Sequence, residues 1–324
     1  SSRMIILSEG TCAKTYQVIS LSWGLIIGAT LALSRWSVWS YGRLQLHENQ
    51  AQVENNAKKK QCLWFNCWIV KNSVAFLEKK VPKSWFTLYY LFGSFLNAVL
   101  LFSLFYFRGE DGARANSQIC LQSELLLFRV VEAVLLELHL LRRLLECLFV
   151  SIFSRSSMAV AVLGGGLAFY FLVVLGASVD IVCSCSFATG TTVNRVKNNQ
   201  YLLLWGCGII IFLVSSMNQL ECHRILGSIR TSLKVGRSGD PDQTAQYAIP
   251  EGNLFKFVSC PHYFWEVCIY MSFFLMKQSS SSALTLIWVS QNLAVTAAKT
   301  HGWYEKKFDD YPLRKRHKMV PFIY

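Results

Sequence analysis

The feature that most constrains this chain is a series of seven apolar blocks, each about as long as a membrane span. A helix that crosses the hydrocarbon core needs about 20 mostly apolar residues, because in lipid every backbone amide must be paired within its own helix. The sequence therefore predicts an all-α fold, a polytopic membrane helix bundle with about seven transmembrane helices. The third block is heavily charged and the sixth is short. The predicted spans are residues 16–34, 85–107, 121–141, 158–180, 201–217, 263–276 and 283–298.

Basic residues alternate between rich and poor loops along the chain. The six successive loops between the predicted spans hold nine, two, three, two, five and one Lys and Arg residues, and the carboxyl-terminal tail holds seven. Because Lys and Arg concentrate on the cytoplasmic side of a membrane, this pattern predicts a lumenal amino terminus and a cytosolic carboxyl terminus. We interpret the first block as a membrane anchor rather than a cleaved signal peptide, since its apolar run is longer than a usual signal core.

The formal net charge of +13 is explained by a membrane surface. Basic loops that face anionic headgroups account for it, so no nucleic-acid partner is expected. The eleven cysteines are scattered without a CxxC pair, which argues against a disulfide framework and against a zinc site. We expect no metal.

Ionisable side chains within a span are costly, so they face a cavity or a partner and often mark function. His139 and Arg143 in the third predicted span are four residues apart and share one helix face. They either line a polar site or lie at headgroup level at the end of the helix. The ionisable residues of this span and its end are Glu124, Arg129, Glu132, Glu137, His139, Arg142, Arg143 and Glu146.

The sequence contains neither GxGxxG nor a Walker loop, so a bound dinucleotide would depend on side chains from several loops. Glycines 164–166, 206 and 208 lie in apolar spans and indicate close helix packing. Residues 228–246 are rich in turn formers and predict a flexible loop. His223, His262 and His301 each fall at a predicted cytosolic boundary, where they could contact a nucleotide, bind zinc or simply face the interface.

Two long motifs occur in order near the carboxyl end. Residues 247–270 read YAIPEGNLFKFVSCPHYFWEVCIY, and residues 301–312 read HGWYEKKFDDYP, followed by VPFIY. Both resemble the steroid 5α-reductase family. Three further segments resemble its polyprenal (polyprenol) reductase branch: VPKSWFTLYY from residue 81, LHLLRRLLECLFVSIFS from residue 138 and CHRILGSIR from residue 222.

The resemblance implies an enzyme of the endoplasmic reticulum membrane. Such an enzyme uses NADPH to saturate the α-isoprene double bond of long-chain polyprenal, giving dolichal on the route to dolichol and protein N-glycosylation. Its expected partners are the polyprenal substrate and membrane lipids. The resemblance divides one integrated membrane domain into residues 1–199, with transmembrane helices and an interfacial loop, and residues 200–324, a 3-oxo-5α-steroid 4-dehydrogenase-like region with NADPH-binding loops.

Alternative functions remain open at this point. The same family resemblance is compatible with two other reactions: steroid Δ4 reduction, as in a 3-oxo-5α-steroid 4-dehydrogenase, and enoyl-CoA reduction. A small membrane transporter is the alternative that is not an enzyme, with the intramembrane charges lining a path.

The resemblance also assigns candidate cofactor residues. Arg230, Tyr247, Glu266 and Tyr304 match cofactor-pocket positions, and a basic contact falls on one of residues 314–316. His223 and His262 stand where steroid-reducing relatives have Asp and Asn. The full predicted NADPH set is Arg143, Gln219, His223, Arg230, Tyr247, His262, Glu266, His301 and Tyr304.

Reduction of an alkene conjugated to an aldehyde places hydride on the β carbon and a proton on the α carbon, while charge develops on the carbonyl oxygen. A hydrogen-bond donor to that oxygen lowers the barrier. The steroid branch uses a Tyr that falls opposite Leu140, so another donor is needed here. Our catalytic candidates are Tyr90, Glu124 and His139.

Overall fold

The structure, a computed structural model, describes residues 14–15, 17–25, 28, 79–110, 124–153, 157–186, 199–235, 247–311 and 314–324. Residues 17–25 are helical, and most of the first predicted span lies outside the described residues. Each of the six later predicted spans coincides with a helix. These helices are α1 (Thr87–Glu110), α2 (Glu124–Leu145), α3 (Val160–Ser186), α4 (Asn199–Val235), α5 (Pro261–Lys277) and α6 (Ser280–Lys307).

Three of the described helical stretches are long and apolar enough to cross a membrane on length and composition alone: Lys83–Tyr106, Val160–Val182 and Asn199–Ser232. The predicted polytopic membrane helix bundle is thereby confirmed. α2 does not have this composition, because it contains several ionisable residues. The side chains of Arg129, Glu132 and His139 are turned inward and buried. Inward-facing charge that is paired within the bundle is how a charged helix is tolerated in lipid.

α1 and α3 run side by side in the same direction. A two-stranded antiparallel sheet, β1 (Lys80–Pro82) with β2 (Ser157–Ala159), joins the segments that precede them. A Cβ on Gly166 would lie 2.5 Å from the ring of Tyr89, and one on Gly93 would lie 3.1 Å from Tyr170. From the first contact to the second, both helices advance by four residues in the same direction, which shows that they are parallel. This packing sets Tyr90 beside Tyr170.

α5 and α6 are joined by a tight turn whose sequence explains both helix ends. Pro261 begins α5, where its missing N–H costs no hydrogen bond. α5 ends at Gln278, which adopts the left-handed conformation with φ 49°. Ser279 then caps α6, accepting from the Ser282 backbone N–H in a capping box. The two helices therefore pack as antiparallel neighbours.

Two expectations need correction, one about the end of α4 and one about the glycines of α3 and α4. The helix continues to Val235, so residues 228–235 of the predicted loop are helical, and residues 236–246 lie outside the described residues. Close packing at glycine holds for Gly166 and for Gly208, where a Cβ would lie 2.5 Å from Met276. It is wrong for Gly164, Gly165 and Gly206, which have open space around them. Sequence spacing alone does not tell which side of an apolar helix meets a neighbour.

The main core is aromatic and joins α3, α5 and α6 to the helical residues 17–25. Phe169 stacks on Trp288 with ring centroids 4.4 Å apart, and Trp23 meets Phe169 edge-on at 5.7 Å. Tyr270 contacts Phe169 from α5 at 5.8 Å. This apolar interior borders the polar residues described next.

Candidate active site

Four helices, α1, α2, α4 and α5, bring polar side chains to one end of the bundle. On α2, His139, Arg142, Arg143 and Glu146 occur at i, i+3, i+4 and i+7, the spacing of a single helix face. Gln219 and His223 on α4, and His262 and Glu266 on α5, are each four residues apart and share a face in the same way. We call the following residues the polar network: Tyr90, His139, Arg142, Arg143, Glu146, Gln219, His223, His262 and Glu266.

Glu146 is the centre of the polar network. Its side chain is 2% exposed and accepts hydrogen bonds from the guanidinium groups of Arg142 and Arg143. His223 Nδ1 lies 2.5 Å from Glu146 Oε2 and 2.9 Å from Arg143 Nη1. The residue begins a π-helical turn (Glu146–Val150) at the end of α2, a local geometry that is frequent at functional sites. One carboxylate thus holds three side chains from two helices.

Gln219 connects Arg142 to the second carboxylate. Arg142 Nη2 donates to Gln219 Oε1 at 2.6 Å, and Gln219 Nε2 donates to Glu266 Oε2 and, at 3.3 Å, to the carbonyl of His262. The polar network therefore contains two guanidinium groups and two carboxylates. Its formal charge is balanced when its histidines are neutral, which is the condition under which buried charges are tolerated.

His139 is buried inside the protein. It is 1% exposed, and its Nδ1 lies 3.2 Å from Arg142 Nη2. Because a guanidinium can only donate, Nδ1 is the acceptor and Nε2 carries the ring hydrogen. Nε2 lies 3.5 Å from Glu266 Oε1. His139 thus lies within a buried group of polar side chains.

Tyr90 approaches the polar network from α1. Arg143 Nη2 donates to its hydroxyl at 2.9 Å, and the guanidinium carbon lies 4.9 Å from its ring centroid. The ring packs edge-on against Tyr170 at 5.6 Å. A phenol that accepts one hydrogen bond still has its own hydrogen to donate. Glu124, the third catalytic candidate, begins α2, and its side chain lies outside the described part of the structure.

Two further candidates, Tyr247 and Tyr304, lie in an outer group of aromatic side chains. We call this group the aromatic rim: Tyr247, Trp303, Tyr304, Phe308 and Tyr311. Tyr247 packs on Trp303 with centroids 4.9 Å apart, and Tyr304 stacks on Tyr311 at 5.1 Å. Burial raises the pKa of the Tyr304 hydroxyl well above its ordinary value, while the charges of Arg230 and Arg316 act to lower it. The charge of Arg230 also acts on His262 of the polar network. Arg230, which donates to the carbonyl of Ile152, is thus close enough for its charge to act on both the network and the rim.

His301 lies behind the rim, away from the other two boundary histidines. Its Nδ1 is 2.6 Å from the Ser259 hydroxyl and its Nε2 is 3.3 Å from Glu305. His223 and His262, by contrast, have ring centroids 5.7 Å apart. Within the described ranges, no group of three or more His, Cys, Asp and Glu residues could hold a metal ion.

The last described residues, 314–324, brace the segment that carries the rim. Ser259 N–H donates to the carbonyl of His317 at 2.8 Å. Arg314 pairs with Glu251 at 2.6 Å and lowers the pKa of that exposed carboxyl. Arg316 donates to the carbonyl of Pro250 at 2.8 Å and lies 5.7 Å from the Tyr311 ring. Of the three basic residues at 314–316, Arg316 is thus shown against the rim.

The comparison with known proteins agrees with this architecture. The family described as 3-oxo-5-alpha-steroid 4-dehydrogenase matches residues 167–324. Polyprenal reductase 1 of Arabidopsis thaliana is 30% identical over 222 residues, which cover 61% of this chain and 67% of that protein. The chain belongs to the steroid 5α-reductase family. The motif resemblance is confirmed.

Other relatives within the steroid 5α-reductase family carry the same name. The polyprenal reductase of Xenopus tropicalis is 35% identical over 197 residues, covering 60% of this chain and 61% of that protein. The polyprenal reductase of Danio rerio is 32% identical over 203 residues, covering 62% of each chain. The chain thus spans about three fifths of the length of these relatives. The family match includes α4, α5, α6 and the rim, whereas α2, with His139, Arg143 and Glu146, lies before it.

Sequence reasoning placed Tyr90, Arg143, Gln219, His223, His262 and Glu266 in one site, and the structure brings them together. It gave no role to Glu146 or Arg142. Their position in the site could have been predicted from the i, i+3, i+4, i+7 spacing that they share with His139 and Arg143. This spacing indicates one continuous polar face on an otherwise apolar helix. What the spacing could not give was the partner helices.

Proposed function

We propose that this protein reduces the α-isoprene double bond of polyprenal to dolichal with NADPH, in dolichol synthesis for protein N-glycosylation. The observation that carries the proposal is the position of the polar network. It lies at one end of a membrane bundle, directly against the aromatic interior around Phe169 and Tyr270. A water-borne cofactor and a lipid-borne aldehyde can meet only at such a boundary. The relatives named as polyprenal reductases support the choice of substrate.

The side chains available fit a dinucleotide. Within the described residues, Arg142 Nε, Arg143 Nε and His262 Nδ1 are buried and make no hydrogen bond, so the site has polar capacity that its own residues do not use. Since the polar network is already charge-balanced, it suits the uncharged dihydronicotinamide end. The phosphates would instead meet Arg230 and Arg316 beside the rim, with Tyr247 and Tyr304 as flat aromatic contacts. NADPH, when bound, supplies the hydride.

The chain's own residues would then orient the reactants and move the proton. His139, whose Nε2 hydrogen faces Glu266, and Tyr90, held by Arg143, are the groups of the polar network that can pass a proton toward the α carbon. Both sit where water is excluded by the helices around them. A positioned acid of this kind commonly contributes a factor of about 10² to 10⁴ in rate.

Steroid Δ4 reduction is the second candidate, favoured by the match to the 3-oxo-5-alpha-steroid 4-dehydrogenase family. The deciding experiment is NADPH oxidation by the purified protein with polyprenal, testosterone or an enoyl-CoA as the only acceptor. We expect turnover with polyprenal and formation of dolichal by mass spectrometry. Efficient reduction of testosterone without reduction of polyprenal would establish the steroid activity instead. Absence of NADPH oxidation with all three would favour a role such as transport.

Arg230 and Arg224 offer a matched test of the cofactor site. Both are arginines on α4, but the charge of Arg230 reaches the rim and the polar network, whereas Arg224 is 63% exposed and pairs weakly with Glu221 at 4.0 Å. Arg230→Gln should raise the Michaelis constant for NADPH about tenfold to a hundredfold, because a hydrogen bond to a charged group contributes about 1.5 to 3 kcal/mol. Arg224→Gln should leave it unchanged. Equal effects would show that Arg230 does not contact the cofactor.

We also infer that the protein resides in the endoplasmic reticulum membrane with its polar network on the cytosolic side. The alternation of basic loops supports this orientation. A cysteine introduced at Lys307, near the rim, should react with a membrane-impermeant maleimide in sealed microsomes. One introduced at Asn199, at the opposite end of the bundle, should react only after the membrane is opened. The reverse pattern would invert the orientation.

A further inference from the structure

One buried phenol lies next to the polar network without being part of it. Tyr270 is on α5, one turn beyond Glu266, and is 3% exposed. Its ring meets His139 edge-on with centroids 6.1 Å apart. Its hydroxyl makes no hydrogen bond among the described residues, and Tyr170 is a polar neighbour of it. A buried hydroxyl without a partner is destabilising, so a phenol kept in this position indicates a ligand.

A small cavity opens beside Tyr270. Its volume is about 20 Å³, enough for one oxygen-sized group, and its walls include Leu136, Lys277, Ser282 and Thr285. The hydroxyl groups of Ser282 and Thr285 already donate to the backbone carbonyls of Ser279 and Ser281. Leu136 offers no donor, and Leu140, one turn along the same face of α2, offers none either. The ammonium of Lys277 lies 3.8 Å from the carboxylate of Asp180. The hydroxyl hydrogen of Tyr270, which has no such partner, is available to an oxygen placed in this cavity.

We propose that Tyr270 is the catalytic residue that polarises the substrate carbonyl, with the carbonyl oxygen in the cavity beside it. This inference rests on the proposed reduction of an α,β-unsaturated aldehyde. It adds a third role to the proton transfer proposed for Tyr90 and His139. The three side chains then divide the work between proton delivery at the α carbon and charge stabilisation at oxygen.

The electron balance of the step is complete with NADPH as the reductant. Hydride from NADPH forms the C–H bond at the β carbon, the carbon–carbon π pair becomes part of an enolate, and NADP⁺ is released. Tyr270 donates a hydrogen bond to the enolate oxygen as the charge develops there. His139 or Tyr90 then passes a proton to the α carbon and regains one from solvent, the C=O bond is restored, and the saturated aldehyde leaves. Stabilisation of this kind by one donor commonly contributes about a hundredfold to a thousandfold in kcat.

The test is Tyr270→Phe, with Tyr201→Phe as the matched control. Tyr201 is also 3% exposed and lies at the start of α4, at the opposite end of the bundle, where it packs against Phe128. We expect Tyr270→Phe to lower kcat for polyprenal a hundredfold to a thousandfold without changing the Michaelis constant for NADPH. Its melting temperature should match or exceed that of the wild type, because an unpaired buried hydroxyl has been removed. Tyr201→Phe should retain wild-type kcat.

A second readout does not depend on turnover. Farnesal labelled with ¹³C at its carbonyl, bound in the presence of NADP⁺, should show a lowered carbonyl stretching frequency in infrared difference spectra of the wild type and of Tyr201→Phe. The shift should vanish in Tyr270→Phe. Unchanged kcat in Tyr270→Phe, or a lower kcat with the carbonyl shift intact, would overturn the inference while leaving the proposed function standing. Failure of the wild type to reduce polyprenal would instead overturn the proposed function.

Discussion

Replacement of Glu146 with Ala is expected to destabilise the protein by about 3 to 5 kcal/mol, the usual effect of leaving buried charges without their partner. The carboxylate is 2% exposed and is the common partner of Arg142, Arg143 and His223. An arginine cannot lose its proton at any accessible pH, so two guanidinium groups would remain charged inside the bundle. Only Glu266 would remain to balance them. NADPH binding should weaken in parallel, since the arginines no longer have fixed positions.

The measurement is thermal unfolding of the purified protein in detergent, together with NADPH titration. Glu221→Ala is the control, because Glu221 is 53% exposed on α4 and pairs with Arg224 only at 4.0 Å. An exposed pair of that kind contributes about 0 to 1 kcal/mol, so this variant should unfold close to the wild-type temperature. If Glu146→Ala unfolded at the wild-type temperature as well, the polar network would not be holding α2 to α4.

The second large effect is expected at the other end of the bundle. We call this group the distal cluster: Arg129, Glu132, Asp180, Trp205 and Lys277. Arg129 donates to both oxygens of Glu132, at 3.1 and 2.9 Å, and to the carbonyl of Lys277 at 3.0 Å. Trp205 Nε1 donates to Glu132 at 3.2 Å. Arg129 is 6% exposed and Glu132 1%, so this is a buried ion pair within α2, and the hydrogen bonds to Lys277 and Trp205 connect it to α5 and α4.

Glu132→Ala should destabilise the protein by about 3 to 5 kcal/mol, and Arg129→Ala by less. The asymmetry follows from protonation. Without Arg129, the buried carboxyl can take up a proton and become neutral, and it keeps the hydrogen bond from Trp205. Without Glu132, the guanidinium cannot become neutral and stays charged in the interior. Thermal unfolding of both variants in detergent measures the difference.

The double variant Arg129→Met with Glu132→Leu sharpens this prediction. Replacement of a buried ion pair by apolar side chains of similar volume is often neutral, so the double variant should be more stable than Glu132→Ala alone. The Michaelis constant for NADPH should remain unchanged in all three, because the distal cluster is at the end of α2 opposite the polar network. Greater damage from Arg129→Ala than from Glu132→Ala would contradict the protonation argument.

The two clusters show why the third predicted span reads so ambiguously in the sequence. Arg129 and Glu132 are three residues apart and stabilise the helix from within its apolar length, while His139, Arg143 and Glu146 belong to the site at its end. The amino-acid composition of the span shows only that these residues are ionisable and does not distinguish the two groups. Only their partners on α4 and α5, such as Gln219 and Glu266, separate a structural ion pair from a functional network. Those partners are about 80 or more residues away in sequence.

The order, type and approximate bounds of the helices followed from the sequence because lipid imposes them locally. A run of about 20 apolar residues has one low-energy structure in a bilayer, since each backbone amide must find its partner within the same segment. The family followed from motifs near residues 247 and 301 for a related reason, because both lie in continuous stretches of chain. The helical face shared by His139 and Arg143 was also local information, given by residue spacing.

The pairing of faces was decided by the tertiary structure. The way the helices turn about their axes when they pack decides which glycines meet a neighbour and where α4 ends. It also decides that Glu146 holds two arginines and a histidine, and that Tyr270 keeps an unpartnered hydroxyl beside a cavity. That rotation is set by many weak contacts summed over several helices, and no single segment of sequence contains it. The sequence determined that this chain is a membrane helix bundle of the steroid 5α-reductase family, and packing determined which of its polar side chains meet.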